Sequence, residues 1–234
     1  MSVAANSSPR SKFHSALGWL VTLLTPVVLV LTAVRLLMMP AFLTFEYNTP
    51  NFPPDFYGFT QEDRLYWSNI ALEYLLNNAA IEFLGDLRFG DGSPVYNQRE
   101  LGHMVDVKIA LQTALTVWRI TLGALVLLAV WAWLGGWIDA YRGGLGRGGW
   151  LTAIAIAFII LIVLVSFGVF FVAFHNVFFE PGTWMFEFSD TLIRLFPERF
   201  WRDIFIYVGV LAGGAGLLIG FLLRKGSPGG YPSS

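Results

Sequence analysis

The sequence predicts an all-α membrane protein: four transmembrane helices, with a small extracytoplasmic domain between helices 1 and 2 and a short extracytoplasmic segment between helices 3 and 4. Three observations predict it. Charge is sparse, at 13% of 234 residues, where a soluble domain carries about 25%, and mean hydropathy is +0.61. Four runs are long enough to cross a bilayer, which takes about 20 apolar residues; the clearest, 150–174, carries no charge. Finally, the charges sort by segment, basic on one side and acidic on the other, as membrane topology requires.

Residues 1–15 read as a short polar cytoplasmic tail with Arg10, Lys12 and a solvated His14. The run 16–39 is the first span. It exceeds the roughly 7–15-residue apolar core of a signal peptide and no small-residue cleavage site follows it. Pro26 is placed to kink it, and Arg35 near its far end to snorkel to the interface.

Residues 40–108 form the extracytoplasmic domain. Pro50, Pro53, Pro54 and Gly58 make its start irregular. Thr60-Gln61-Glu62-Asp63 has the form of a helix start, a capping threonine with acids in the first turn. Leu65, Leu72, Leu75 and Leu76 give that helix an apolar face, ending near Asn77-Asn78. Gly90-Asp91-Gly92 marks a turn. Asn97 followed by Glu100 approximates a capping box, so a helix is expected from Gln98 into the second span, 109–137. The domain is small enough to need support from the bilayer and the other helices.

The glycine-rich stretch 138–149, with Arg142 and Arg147, reads as a cytoplasmic loop between antiparallel helices. The third span is 150–174, and 175–203 is the second outer segment. There Leu192, Ile193, Leu195 and Phe196 predict a short amphipathic helix lying in the interface, and Pro197 a helix start. The fourth span is 204–223, and the cytoplasmic tail 224–234 opens with Arg224-Lys225. Gly209/Gly213 and Gly216/Gly220 have GxxxG spacing, which favours close helix packing within this chain over a dimer contact.

Charge orients the chain. The inner segments hold Arg10, Lys12, Arg142, Arg147, Arg224 and Lys225 against one acid, Asp139; the other fifteen of sixteen acids fall in the outer segments. Trp131, Trp133, Trp137 and Trp150 gather at the inner face, Trp184 and Trp201 at the outer. The expectation is a prokaryotic cytoplasmic membrane with both termini inside.

Several function classes drop out. Without cysteine there is no disulfide, thiolate nucleophile or thiolate metal site. No basic cluster marks a nucleic-acid footprint, and neither a GxSxG nor a P-loop pattern is present. Arg35 and Arg119 are the only charges in the spans, too few for an ion path. What remains is a pair of histidines at the outer ends of separate spans. Arg99, His103 and Asp106 share a helix face at i, i+4 and i+7, so Asp106 can hydrogen-bond His103 or pair with Arg99. His175 closes the third span, with Asn176 beside it and Glu180 following. Each alone also fits a plain surface role, His103 paired with Asp106 and His175 at a helix end that favours imidazolium. Together they suit acid–base chemistry; as metal ligands they lack the tight HxxxH or HExxH spacing.

Gly102-His103-Met104-Val105-Asp106-Val107-Lys108 precedes one span. Phe174-His175-x-x-Phe178-Phe179 follows another, and Trp184 with Leu195-Phe196-Pro197-x-x-Phe200-Trp201 precedes the last. In this order the motifs resemble the DUF1461 family of four-helix membrane proteins, which includes lipoprotein intramolecular transacylases; the resemblance covers about residues 16–223. It implies an acyltransferase without metal or cofactor. Its substrate would be a diacylglyceryl-cysteine lipoprotein at the membrane, whose sn-2 acyl chain moves to its own α-amino group. The family's two essential histidines would be His103 and His175. An α-amine of pKa about 8 needs a base before it attacks an ester. His175 fits that part, with His103 oriented by Asp106 as partner or proton shuttle, or the two in reversed roles. Arg99, Asn176, Trp184 and Arg119 are candidate donors to substrate and oxyanion; Phe174, Phe178 and Phe179 are candidates for an acyl groove. Two alternatives stand beside this. A non-enzymatic accessory or scaffold subunit would bind a partner through the outer domain and tolerate loss of both histidines. A metal-dependent membrane hydrolase would bind zinc.

Overall fold

A computed structural model describes residues 9–223, and they form helices with no strand among them. In chain order these are α1 (Pro9–Leu37), α2 (Pro40–Tyr47), α3 (Gln61–Leu76), α4 (Glu82–Gly85), α5 (Gln98–Leu134), α6 (Ile138–Val165), α7 (Phe167–Phe178), α8 (Thr191–Leu195) and α9 (Glu198–Leu222). Four of them, α1, α5, α6 and α9, are long and apolar enough to cross a membrane. Arg224 and Lys225 lie outside the described residues, as do 1–8 and the rest of the tail from 226.

The chain builds two compact units. The first takes the described residues of Met1–Ala33, Trp118–Phe158 and Gly209–Ser234. Its core is Val21, Val28, Leu125, Ala132, Trp137 and Tyr141. Two readings change here. Residues 10–15 belong to α1 rather than to a tail, and His14 stacks on Trp137 with ring centroids 6.0 Å apart. Residues 138–149 are helix, not loop; the turn before them is Gly135-Gly136, with Gly136 at φ +70°. The glycines of this stretch serve close approach of helices. A Cβ on Gly148 would stand 2.5 Å from Thr25 Cβ and 2.8 Å from the Thr22 carbonyl oxygen. One on Gly149 would stand 2.5 Å from the Gly216 carbonyl, so Gly216 of the GxxxG spacing packs against this chain's own α6. Thr22 Oγ1 donates to the Gly18 carbonyl at 2.9 Å, with the Gly144 carbonyl at 3.2 Å. Small residues let membrane helices approach until backbones touch, which is where their packing energy comes from.

The second unit takes Val34–Val117 and Ile159–Val208. Its helix starts follow local chemistry. Thr60 and Asp63 form a full capping box on α3. On α5, Asn97 Oδ1 accepts the Glu100 N–H at 3.0 Å and Glu100 accepts the Asn97 N–H at 2.8 Å. Glu100 is only 1% exposed and its other carboxylate oxygen takes the Leu192 N–H at 2.7 Å, which ties the start of α5 to α8. The core joins Tyr74, Leu84, Val95, Tyr96, Met104, Leu192 and Leu195. Leu192 and Leu195 are therefore buried in protein, which corrects the interfacial placement expected for them. Asp55, 3.0 Å from Arg194, pins the proline-rich segment to α8; burial pushes its carboxyl up, but Arg194 and the Phe59 N–H hold it below the usual carboxylate value. The apolar run 150–174 is not one helix: Ser166 leaves helical geometry between α6 and α7. Its N–H still donates to Ile162 and its carbonyl still accepts from Phe170, so the break leaves neither group unpaired.

Candidate active site at a histidine pair

His103 and His175 meet. Their rings stack at 6.2 Å between centroids and 23° between planes, one carried by α5 and the other by α7. The cluster lies wholly within the second unit. Aromatic side chains enclose it. Phe179 stands 4.9 Å from His103 and 5.5 Å from His175, Phe186 5.3 Å from His103, and Phe171 4.0 Å from His175.

The two imidazoles differ in their bonds. His175 Nδ1 lies 2.8 Å from the Phe171 carbonyl, one helical turn back. A carbonyl only accepts, so Nδ1 carries the proton and Nε2 keeps its lone pair. Burial pushes the His175 pKa below its ordinary value, against the raising pull of the Phe171 carbonyl. His103 is 8% exposed, and its buried Nδ1 has no hydrogen-bond partner among the described residues. Trp184 stands against His175, ring centroids 4.7 Å apart, and its indole N–H is also buried without an acceptor.

The remaining expected site residues scatter. Asp106 bonds neither His103 nor Arg99; i+3 turns it about 60° aside from His103 on the helix, while His103 turns into the aromatic rings. Arg99 is held by Asp190 at 2.9 Å and lies over the Phe186 ring, a partner on the second outer segment that spacing within α5 gives no hint of. Asn176 is exposed. Arg119 belongs to the first unit. Lys108, far from Asp106 in role, donates to the Ala79 carbonyl at 2.6 Å and sits over Tyr74. A cavity of about 640 Å³ opens between α5 and α7, lined by Ala110, Ala114, Phe178 and Phe179, with Asp106 and Glu180 also on its wall. Among the described residues no three histidine, aspartate or glutamate side chains gather as a metal site.

The sequence model of one family, described as the lipoprotein intramolecular transacylase Lit, matches residues 19–201. The chain belongs to the Lit family. A relative from Aquifex aeolicus, described as an uncharacterized protein, is 29% identical over 187 residues, covering 80% of this chain and 83% of its own. The structure of Lit from Bacillus cereus shares the fold, with TM-score 0.73, 21% identity and coverage of 92% of this chain and 94% of that one. A form of the same protein with one histidine replaced by arginine gives TM-score 0.66 at 22% identity, covering 93% and 96%. With four apolar helices of spanning length and a membrane-integral structural match, this Lit-family chain is a multi-pass membrane protein.

Proposed function

We propose that the chain is a lipoprotein intramolecular transacylase, moving the sn-2 acyl chain of a diacylglyceryl-cysteine to that cysteine's α-amino group. The observation that carries it is the stacked histidine pair, with the tautomer of one ring set by the Phe171 carbonyl. Family membership supports the reaction class.

His175 Nε2 takes a proton from the α-amine as the nitrogen attacks the ester carbonyl carbon. The tetrahedral intermediate expels the sn-2 alkoxide. The C–O bond breaks, the amide C–N bond remains, and the proton returns to the glyceryl oxygen, directly or through His103. Atoms and protons balance with no cofactor and no water consumed. The buried N–H of Trp184, beside His175, is the donor best placed for the oxyanion. Arg99, held by Asp190, orients Phe186 rather than the ester. The cavity between α5 and α7 offers an alanine and phenylalanine floor to an acyl chain, and Asp106 and Glu180 offer negative charge to the incoming ammonium. Nucleophile and ester share one molecule, so positioning can supply about 7–11 kcal/mol of the barrier. The outer segments, 40–108 and 175–203, face away from the cytoplasm in the plasma membrane of a prokaryote.

Mass spectrometry of the N-terminal lipopeptides of a model lipoprotein tests this, in a host without other N-acylation. Expression of the wild-type chain should move one acyl chain from glyceryl to the amine, and His175→Ala should cut conversion by about 100-fold or more. An unchanged lipopeptide with folded, inserted wild-type protein would sink the reading.

A further inference from the structure

At the end of the spans where Trp131, Trp133, Trp137 and Trp150 gather, the first unit contains a second cavity of about 650 Å³. Tryptophans collect at headgroup depth in membrane proteins, so this cavity opens where lipid headgroups lie. Both signs of charge line it. Arg147 and Asp139 stand two turns apart on α6, about 12 Å along its axis. Among the described residues neither forms an ion pair. The Arg147 guanidinium is oriented: Nε donates to Thr22 Oγ1 at 3.2 Å and the group lies over the Trp19 ring at 4.7 Å. That fixes its plane, and among the described residues its two terminal nitrogens have no hydrogen-bond acceptor.

A second observation points to a ligand. Trp137, 3% exposed, lines the same cavity, and its indole N–H is buried with no acceptor. A buried N–H left unmade costs about 1–3 kcal/mol, so an acceptor is expected there. His14, stacked on Trp137, adds another ring nitrogen. The cavity thus offers guanidinium, indole and imidazole donors together with a carboxylate, which complement a group with a phosphate and a primary amine.

We propose that this cavity binds the headgroup of an aminophospholipid, phosphate toward Arg147 and Trp137 and ammonium toward Asp139. The site is independent of the histidine pair and of the acyl-transfer reaction. Arginine meets phosphate oxygens through paired N–H donors, and a carboxylate discriminates a primary ammonium, which donates three hydrogen bonds, from a trimethylated one, which donates none.

Native mass spectrometry of the full chain, released from micelles holding equal phosphatidylethanolamine, phosphatidylcholine and phosphatidylglycerol, reads this directly. The wild type should retain phosphatidylethanolamine about tenfold over each of the others. Asp139→Asn should abolish the preference over phosphatidylcholine; the Asp139 carboxylate makes no bond in the described structure, so this variant separates recognition from folding. Trp137→Phe, which keeps an aromatic ring and removes the N–H, should weaken retention of all three. Equal retention of the three lipids by the wild type overturns the proposal. So does a preference for phosphatidylglycerol, an Asp139→Asn preference that is unchanged, or displacement of the lipid by millimolar inorganic phosphate alone, which would assign the site to the free anion.

Discussion

His175 has two ring nitrogens, and the Phe171 carbonyl leaves one of them for chemistry. A base held neutral by burial keeps working below the pH at which a free histidine, with pKa about 6.5, is half protonated. Corrected for the substrate amine's own protonation, transfer rates should therefore fall between pH 7 and 6 by less than the roughly threefold that a free imidazole gives; a fall of roughly threefold or more would show an unshifted imidazole. The same lowering makes His175 stabilise the fold above pH 6.5, a contribution lost as pH falls toward its folded value. Glu46 works in the opposite sense. It is fully buried, neither oxygen has a hydrogen-bond partner among the described residues, and burial, then the Asp203 carboxylate, push it up to about 7, with Arg199 pulling the other way and Tyr207 nearby. A carboxyl raised from 4.5 stabilises fully below 4.5 and loses that contribution as pH rises through about 7. Glu46→Gln should thus gain on wild type between pH 5 and 8, by an amount on the order of 2–3 kcal/mol. Unfolding in detergent at several pH values gives the difference, and parallel curves for the two proteins would refute it.

Helix α6 shows how composition misleads at the scale of an element. Five glycines within 138–149 read as a turn, yet Gly148 and Gly149 are helical and carry backbone contact instead. Gly148→Ala should destabilise by about 1–3 kcal/mol, since its methyl must displace Thr25 and the Thr22 carbonyl. Gly214 of α9 has open space where its Cβ would go. There alanine should be neutral or stabilise by up to about 1 kcal/mol. Equal melting temperatures for the two variants in a thermal scan would discard the packing argument. Helix α7 is the complementary case. The break at Ser166 cannot be read from an uninterrupted apolar run, because hydropathy measures length and not continuity. It makes α7 a separate helix, the one that carries His175.

For the whole molecule, the charge asymmetry predicts a topology that the cysteine-free sequence makes easy to test. Cysteine placed at the exposed Ser93 or Ser189 should react with an impermeant maleimide in intact cells, and cysteine at the exposed Arg142 only after permeabilisation. The reverse pattern would invert the orientation.

Much of the fold is legible in one dimension. Spans show as apolar length, and caps show as residue spacing: Thr60 with Asp63 and Asn97 with Glu100 form as their spacing predicts. Both follow from interactions within a few residues or with the bilayer, so the sequence by itself determined the four spanning helices, the starts of α3 and α5, and the two histidines as candidates. Partnerships between distant segments were a matter for the tertiary structure alone. It stacked His103 on His175, gave Arg99 to Asp190 instead of Asp106, and buried Leu192 and Leu195. It also turned glycines that look like a loop into a helix–helix contact. The reason is physical: periodicity reports which way a side chain faces on its own helix, whereas its partner depends on which other helix arrives there and how closely it packs.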